Sequence, residues 1–199
     1  MADFQDNPFA ADGPWIRTVR ERLRALPAEA GTADIETLRD RLASLPWLAG
    51  CPEAALLARA GGAPQQRRHR IARDAGNGCT ALLIAWPPGH RTPLHDHDGL
   101  WGIELVLEGA LAIEEFRKDE SSGATRLDHE RTRILGIGDA ISFTAADYVH
   151  ACRNLSARRP ALSLHVYGGE LDAYSAFHTD TCGLATATRR RAGLDAVLI

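Results

Sequence analysis

His95 and His97 are separated by a single residue, and His150 lies further along the chain with Asn154 beyond it. Imidazole binds zinc, iron and copper. On a strand, side chains alternate between faces, so His95 and His97 point the same way and Asp96 the opposite way. Two imidazoles about 7 Å apart along a strand can hold one ion between them. His150, from a distant strand, is the expected third ligand. Such a set carries no protein negative charge, so the ion keeps its full positive charge until a substrate arrives. That favours a small anionic substrate such as a thiolate, and does not by itself choose iron over zinc. The other histidines, His69, His90, His129 and His178, have no comparable support and read as surface or loop residues.

Elements able to position these residues are visible in the periodicity. From residue 65 onward, short runs rich in Leu, Ile and Val alternate with turn signals. Strands are expected over 80–86, 101–107, from Leu111 through Phe116, and over 126–134, 141–143, 150–153 and 162–167. Pro87-Pro88-Gly89, Glu108-Gly109 and Ser121-Ser122-Gly123 separate some of them. Many short strands at regular spacing predict a closed antiparallel sandwich or barrel. The tail after Leu171 carries weak signals and is expected to be irregular, with at most one short strand.

The first sixty residues have a helical period instead. Ile16, Val19, Leu23 and Leu26 share one face, with Pro14 in the first turn and Pro27 as the stop. Ile35, Leu38, Leu42 and Leu45 repeat the pattern up to Pro46. Pro52 opens a third short helix through Leu56 and Leu57, closed by Gly61-Gly62. The expected organisation is one structural domain, with helices in 1–62 packed on a β-barrel in 63–199.

Composition narrows the class. The chain has 199 residues, 45% apolar and 25% charged, with a net charge of -3. That is enough for one full core. No basic excess points to nucleic acid. The runs Arg67-Arg68-His69-Arg70 and Arg189-Arg190-Arg191 read as solvated faces. No segment has the apolar length of a membrane span, and residues 1–6 are acidic without a signal-like apolar stretch. Cys51, Cys79, Cys152 and Cys182 are scattered without a disulfide or zinc-ribbon pattern, which fits a reducing cytoplasm. Cys152 would share a strand face with His150, as a spectator or a redox-sensitive thiol.

The spacing of Gly89, His95, His97, Gly102 and Gly109, followed by Gly138-Asp139, His150 and Asn154, resembles the two metal-binding motifs of the cupin superfamily. Most cupins have a glutamate ligand where this chain has Gly102. The resemblance implies a mainly β cupin jelly-roll barrel with a small N-terminal helical segment.

Residues 70–169 are similar, more narrowly, to the thiol dioxygenases among the cupins, the cysteine dioxygenase and mercaptoalkanoate dioxygenase group. Three stretches carry the likeness. The first runs from Arg70 through Asp74-Ala75-Gly76-Asn77-Gly78 to Trp86. The second is Thr92-Pro93-Leu94-His95-Asp96-His97 with Trp101-Gly102. The third is His150 and Asn154, then Ser163-Leu164-His165-Val166-Tyr167-Gly168-Gly169. The family implies one Fe(II) per chain held by His95, His97 and His150. It implies a thiol and O₂ as small-molecule partners, and a sulfinate product. Tyr167 matches a tyrosine that faces substrate and oxygen, and His165 and Ser163 match the pair that positions it. On a strand these residues share a face, so a hydrogen-bonded relay fits. Arg70 matches an arginine that clamps the substrate carboxylate, a task suited to its two-pronged donor.

Two departures inform the reading. Animal cysteine dioxygenases have, at the Gly102 position, a cysteine crosslinked to the tyrosine, so Tyr167 is expected to be a free phenol, as in bacterial members. Mercaptopropionate-type members tend to have glutamine at the Arg70 position, so L-cysteine is favoured over 3-mercaptopropionate, with mercaptosuccinate also open. The turn Ala145-Ala146-Asp147 lacks the proline and glycine common in cupin second motifs. Another metallocupin, an isomerase or ring-cleaving enzyme, would usually keep the missing glutamate. A non-catalytic cupin sensing a small ligand is the alternative of another class, and an Arg70 turned away from the metal would favour it. A monomer and a homodimer both fit.

Overall fold

The computed structural model describes residues 13–58, 66–121 and 123–197. Pro14 begins the first helix, α1 (Pro14–Arg24), where its missing N–H leaves no hydrogen bond unmade. Trp15, Ile16, Val19 and Leu23 are buried along one side, and Arg22 and Arg24 occupy the last turn, where positive charge suits the helix dipole. Helix α2 (Thr32–Leu42) buries Ile35, Leu38 and Leu42 in the same way. A 3-10 turn at Leu45–Trp47 and a short α3 (Ala54–Ala58) complete this part. The expected Gly61-Gly62 stop and Ser122 of the expected 121–123 turn lie outside the described residues. No described helix is long and apolar enough to cross a membrane.

The strands are β1 (Arg67–Arg73), β2 (Thr80–Trp86), β3 (Leu94–His95), β4 (Gly102–Glu108), β5 (Leu111–Asp119) and β6 (Arg126–Leu135). They continue with β7 (Ala140–Phe143), β8 (Tyr148–Asn154), β9 (Ala161–Tyr167), β10 (Ala173–Thr179), β11 (Ala185–Arg191) and β12 (Ala196–Val197). They form two six-stranded sheets, ordered β12-β1-β2-β9-β4-β7 and β11-β10-β3-β8-β5-β6. All pairings are antiparallel except β1 with β12. The fold is therefore mainly β with a small helical segment, as the strand periodicity predicts.

Burial explains why the first sheet reads as nearly continuous apolar sequence. Every residue of β2 and β9 is buried. Ala81, Leu83, Ala85, Ile103, Leu105, Leu162, Leu164 and Val166 join one core with α1 and α2. The alternate residues Leu82, Ile84, Trp86 and Val106 face the second sheet and form another core with Leu111, Ile113 and Cys152. A sheet covered on both faces cannot show a polar alternation. Fully burying each Leu, Ile or Val contributes roughly 1.5–3 kcal/mol, so the helices are integral to the stability of the sheet.

The Asp74–Gly78 stretch is the joint between these layers. Asn77 Nδ2 donates to the carbonyls of Leu23 (2.8 Å) and Leu26 (3.0 Å) at the end of α1. Helix-terminal carbonyls lack partners within the helix, and Asn77 supplies them. Asn154, buried, does the same at the other end of the barrel, where Nδ2 donates to Pro87 O (3.0 Å) and Arg159 O (2.9 Å). Its place after His150 is thus structural.

Three expectations change. The run Arg67-Arg68-His69-Arg70 is the paired strand β1, with His69 buried, and not a solvated face. The tail after Leu171 holds three strands, of which β11 is mostly exposed and arginine-rich, so it lacks the apolar alternation that marks a strand in sequence. Strand β3 ends at His95, and His97 precedes a turn in which Asp98 has φ 56°. The two imidazoles therefore converge from a strand end and a turn, with ring centroids 5.2 Å apart.

Candidate active site

Strand pairing within the second sheet brings the distant histidines together. His95 on β3 is the register partner of His150 on β8, and their Nε2 atoms lie 3.3 Å apart. One ligand atom from each of His95, His97 and His150 falls within 4.8 Å of the others. Their orientation is fixed from behind. His95 Nδ1 hydrogen-bonds Pro93 O at 3.0 Å, which assigns the ring hydrogen to Nδ1 and leaves the Nε2 lone pair facing inward. His150 Nδ1 lies 3.4 Å from the Tyr148 hydroxyl, with Nε2 again inward.

His97 carries the strongest sign of a ligand. It is buried, and neither ring nitrogen has a hydrogen-bond partner among the described residues. Leaving such a group unsatisfied costs about 1–3 kcal/mol, which a bound ion removes. Its ring stacks on Phe143 at 4.5 Å between centroids, and Phe143 stacks in turn on Tyr148 at 4.6 Å. Burial, reinforced by neighbouring imidazoles, pushes His97 well below the usual histidine range. Burial likewise lowers His95 and His150. The trio is thus neutral, the state a metal ligand requires.

Ser163, His165 and Tyr167 share the inward face of β9. Trp86 Nε1–H donates to Ser163 Oγ at 2.8 Å, Ser163 Oγ hydrogen-bonds His165 Nε2 at 2.8 Å, and His165 Nδ1 hydrogen-bonds the Tyr167 hydroxyl at 3.2 Å. Trp86 can only donate, so it anchors one end of the chain. Burial raises Tyr167 far above the ordinary phenol, with the charge of Glu104 adding to the effect, so the hydroxyl keeps its proton. No cysteine is near enough in register to crosslink it: its neighbours are Thr80 and Gly102.

Most of these groups, though not His97 or Ser163, line one cavity of about 200 Å³, whose walls include Arg68, Trp86, His95, Glu104, His150 and Tyr167. Arg70 does not line it. Its Nη1 is ion-paired to Glu170, which also binds Arg73 at 2.8 Å, and it faces a separate small cleft with Thr80, Leu82 and Leu194. Arg70, expected as the carboxylate clamp, thus stands outside the histidine cavity, whereas Arg68, two residues earlier on the same face of β1, lines it. Glu170 has captured Arg70. No ion-pair partner of the Arg68 guanidinium occurs among the described residues.

Glu104 was not expected from the sequence. It is buried on β4 beside His165 in register, and its Oε1 lies 3.5 Å from His150 Nε2 and 3.3 Å from His165 Nδ1. The Cys152 thiol donates to Oε2 at 3.6 Å. Burial opposes ionisation of this carboxyl, while its contacts with the rings of His150, His165 and His95 favour the carboxylate and draw it below the usual range. Strand parity could have found Glu104, since it shares a face with Gly102, and the same argument applies to Arg68 and Arg70.

The family model described as cysteine dioxygenase type I matches residues 52–180. Human cysteine dioxygenase type 1 is 29% identical over 118 residues, covering 59% of this chain and 58% of that protein. The Rattus norvegicus protein of the same name is 32% identical over 123 residues, with the same shares. The chain thus matches less than two thirds of the length of these relatives. Among solved structures, TT1209 from Thermus thermophilus is 25% identical at a TM-score of 0.42, covering 58% of this chain and 93% of that one. With its match extending from the last helix across the barrel, the chain belongs to the cysteine dioxygenase type I family.

Proposed function

We propose that the protein is a thiol dioxygenase that converts a small carboxylate-bearing thiol, L-cysteine first among them, to its sulfinate. The observation that carries this reading is the buried, partnerless His97 ring, which converges with His95 and His150, the latter two lining the cavity that also holds Tyr167 and Arg68. Three neutral imidazoles suit Fe(II), and His95, His97 and His150 are the residues that would hold one ion per chain. Bound there, ferrous iron supplies a site for thiolate and for O₂.

The remaining work belongs to the chain. Arg68 holds the substrate carboxylate through two parallel hydrogen bonds and so fixes the direction of the thiol. Tyr167, held by the Trp86–Ser163–His165 chain, offers its hydroxyl hydrogen to developing charge on oxygen. Val106, Ile84 and Trp86 exclude water from the inner wall. In the overall reaction the thiol sulfur gains both atoms of O₂ and gives up four electrons, and its proton is released with the sulfinate, so no external reductant is required.

Oxygen uptake by the iron-loaded protein with L-cysteine, mercaptosuccinate and 3-mercaptopropionate tests the assignment, with the product identified as sulfinate. Uptake with none of the three excludes it. A second reading, a metal-binding cupin that senses a small ligand, is favoured by one observation: Arg70 is turned to Glu170. That reading expects thiol binding without oxygen consumption.

A further inference from the structure

The three candidate ligands are backed in three different ways. Pro93 O takes the His95 ring hydrogen, and neither nitrogen of His97 has a partner among the described residues. Behind His150 stands a side-chain network built across neighbouring strands. Arg131 on β6 is the register partner of Glu115 on β5, and Glu115 is the register partner of His150 on β8. Directly opposed residues of antiparallel strands share a face of the sheet, so these three stand in one row. Tyr148, two residues before His150, joins them on that face.

We infer that Glu115 and Tyr148 are positioning residues for the metal: Glu115, acting through the Tyr148 hydroxyl, fixes the ring hydrogen of His150 on Nδ1 and so aims Nε2 at the ion. The inference rests on the metal-site reading above and deepens it. The hydrogens of this network have one consistent order. His150 Nε2 lies 3.3 Å from His95 Nε2, so Nε2 is the nitrogen that faces the shared site and must keep its lone pair free. The ring hydrogen is then on Nδ1, 3.4 Å from the Tyr148 oxygen. That hydroxyl accepts from Nδ1–H and donates its own hydrogen to Glu115 Oε1, also at 3.4 Å. Glu115 ends the chain because a carboxylate only accepts. A competing partner for Nδ1, Cys152 Sγ, is farther away at 3.7 Å and is a weak acceptor.

Glu115 is built for this place. It is 3% exposed, and a buried carboxylate without partners would be costly. Arg131 Nε and, at 3.2 Å, Arg133 Nε both donate to Oε2, while their side chains reach solvent. Both cations thus sit on one oxygen, and Oε1 is left to Tyr148. The Tyr148 ring is fixed separately, stacked on Phe143 with centroids 4.6 Å apart and planes 9° apart. The hydroxyl is therefore in place before any ion arrives. Were Tyr148 only a filler, its ring would matter and its hydroxyl would not.

The test is Co(II) binding to the metal-free full chain, read by competition with a chelating dye and by the visible spectrum. Tyr148→Phe keeps the stacked ring and removes the hydroxyl. Its affinity is expected to fall about tenfold, with a changed Co(II) spectrum. Glu115→Leu removes the acceptor and keeps bulk. It is expected to lower affinity in the wild-type background and to change it by less than about twofold in the Y148F background, where the relay is already cut. If Y148F binds within about twofold of wild type with the same spectrum, the proposal is overturned and the trio stands. An E115L effect that persists undiminished in the Y148F background also overturns it, since Glu115 would then act by another route. His150→Ala is the reference. If H150A binds Co(II) as wild type does, His150 is no ligand, and the metal-site reading fails together with the inference. Should Y148F not fold, nitrogen NMR of the metal-free wild-type chain decides: a His150 hydrogen on Nδ1 supports the inference, and one on Nε2 overturns it.

Discussion

The ring of Phe143 occupies the space that a side chain at Gly102 would need, and the same ring stacks on His97. One contact therefore sets both the identity of a strand glycine and the tilt of a candidate ligand. Gly102→Ala should force Phe143 aside and cost about 1–3 kcal/mol of stability by overpacking. Combining it with Phe143→Leu should recover part of that loss, because the two positions share one volume. Thermal unfolding of the two single variants and the double variant measures the coupling. Strictly additive losses would show that the contact is not energetic.

Arg68 and Arg70 should separate cleanly in kinetics. Replacing Arg68 by Met removes hydrogen bonds to a charged group, worth about 1.5–3 kcal/mol, so KM for carboxylate-bearing thiols should rise at least tenfold. Arg70→Met should leave KM within about twofold, since Arg70 is engaged by Glu170. Steady-state oxygen uptake with L-cysteine decides between them. The opposite ranking would return the clamp to Arg70.

Tyr167→Phe keeps the ring and removes the hydroxyl. If the phenol serves charge on oxygen, kcat should fall about 10²-fold with metal affinity unchanged. Ser163→Ala should cost less, about tenfold, because His165 keeps its bond to Tyr167 while losing its brace to Trp86. Single-turnover rates and metal titrations on both variants provide the check. Equal losses of metal and rate would point to collapse of the site instead.

Acid should destabilise the metal-free chain in a defined window. Burial lowers His95, His97 and His150, and also His69 and His90. The unfolded chain, with histidines near about 6.5, then binds protons that the folded chain refuses. Stability is complete above that value and falls as pH drops below it toward the depressed folded values. Unfolding midpoints between pH 8 and pH 5 should show this slope, and His150→Gln should make it shallower. A flat profile in the wild-type chain would contradict the neutral, buried state of the trio.

Asn154→Ala should cost about 1–3 kcal/mol, because the carbonyls of Pro87 and Arg159 lose a buried donor. Denaturant unfolding measures it. A loss of metal affinity without a loss of stability would instead make Asn154 part of the site.

Local rules carried much of this protein. Proline starts and an apolar period of 3.6 marked α1 and α2, and unbroken apolar runs marked β2 and β9, because burial leaves its trace in residue type. The convergence of His95, His97 and His150, with Ser163, His165 and Tyr167 on one strand face, was also legible, since strand parity and motif spacing are properties of the chain itself. Strand β11 was not, because an exposed edge strand of arginines and threonines buries too little to leave a pattern. Three site facts were fixed only by assembly: Arg68 rather than Arg70 in the cavity, Phe143 filling the place beside Gly102, and Glu104 turned toward His150. Each depends on which side chain arrives from another strand. Sequence determines the face on which a residue stands, and tertiary packing determines which neighbour already occupies the space in front of it.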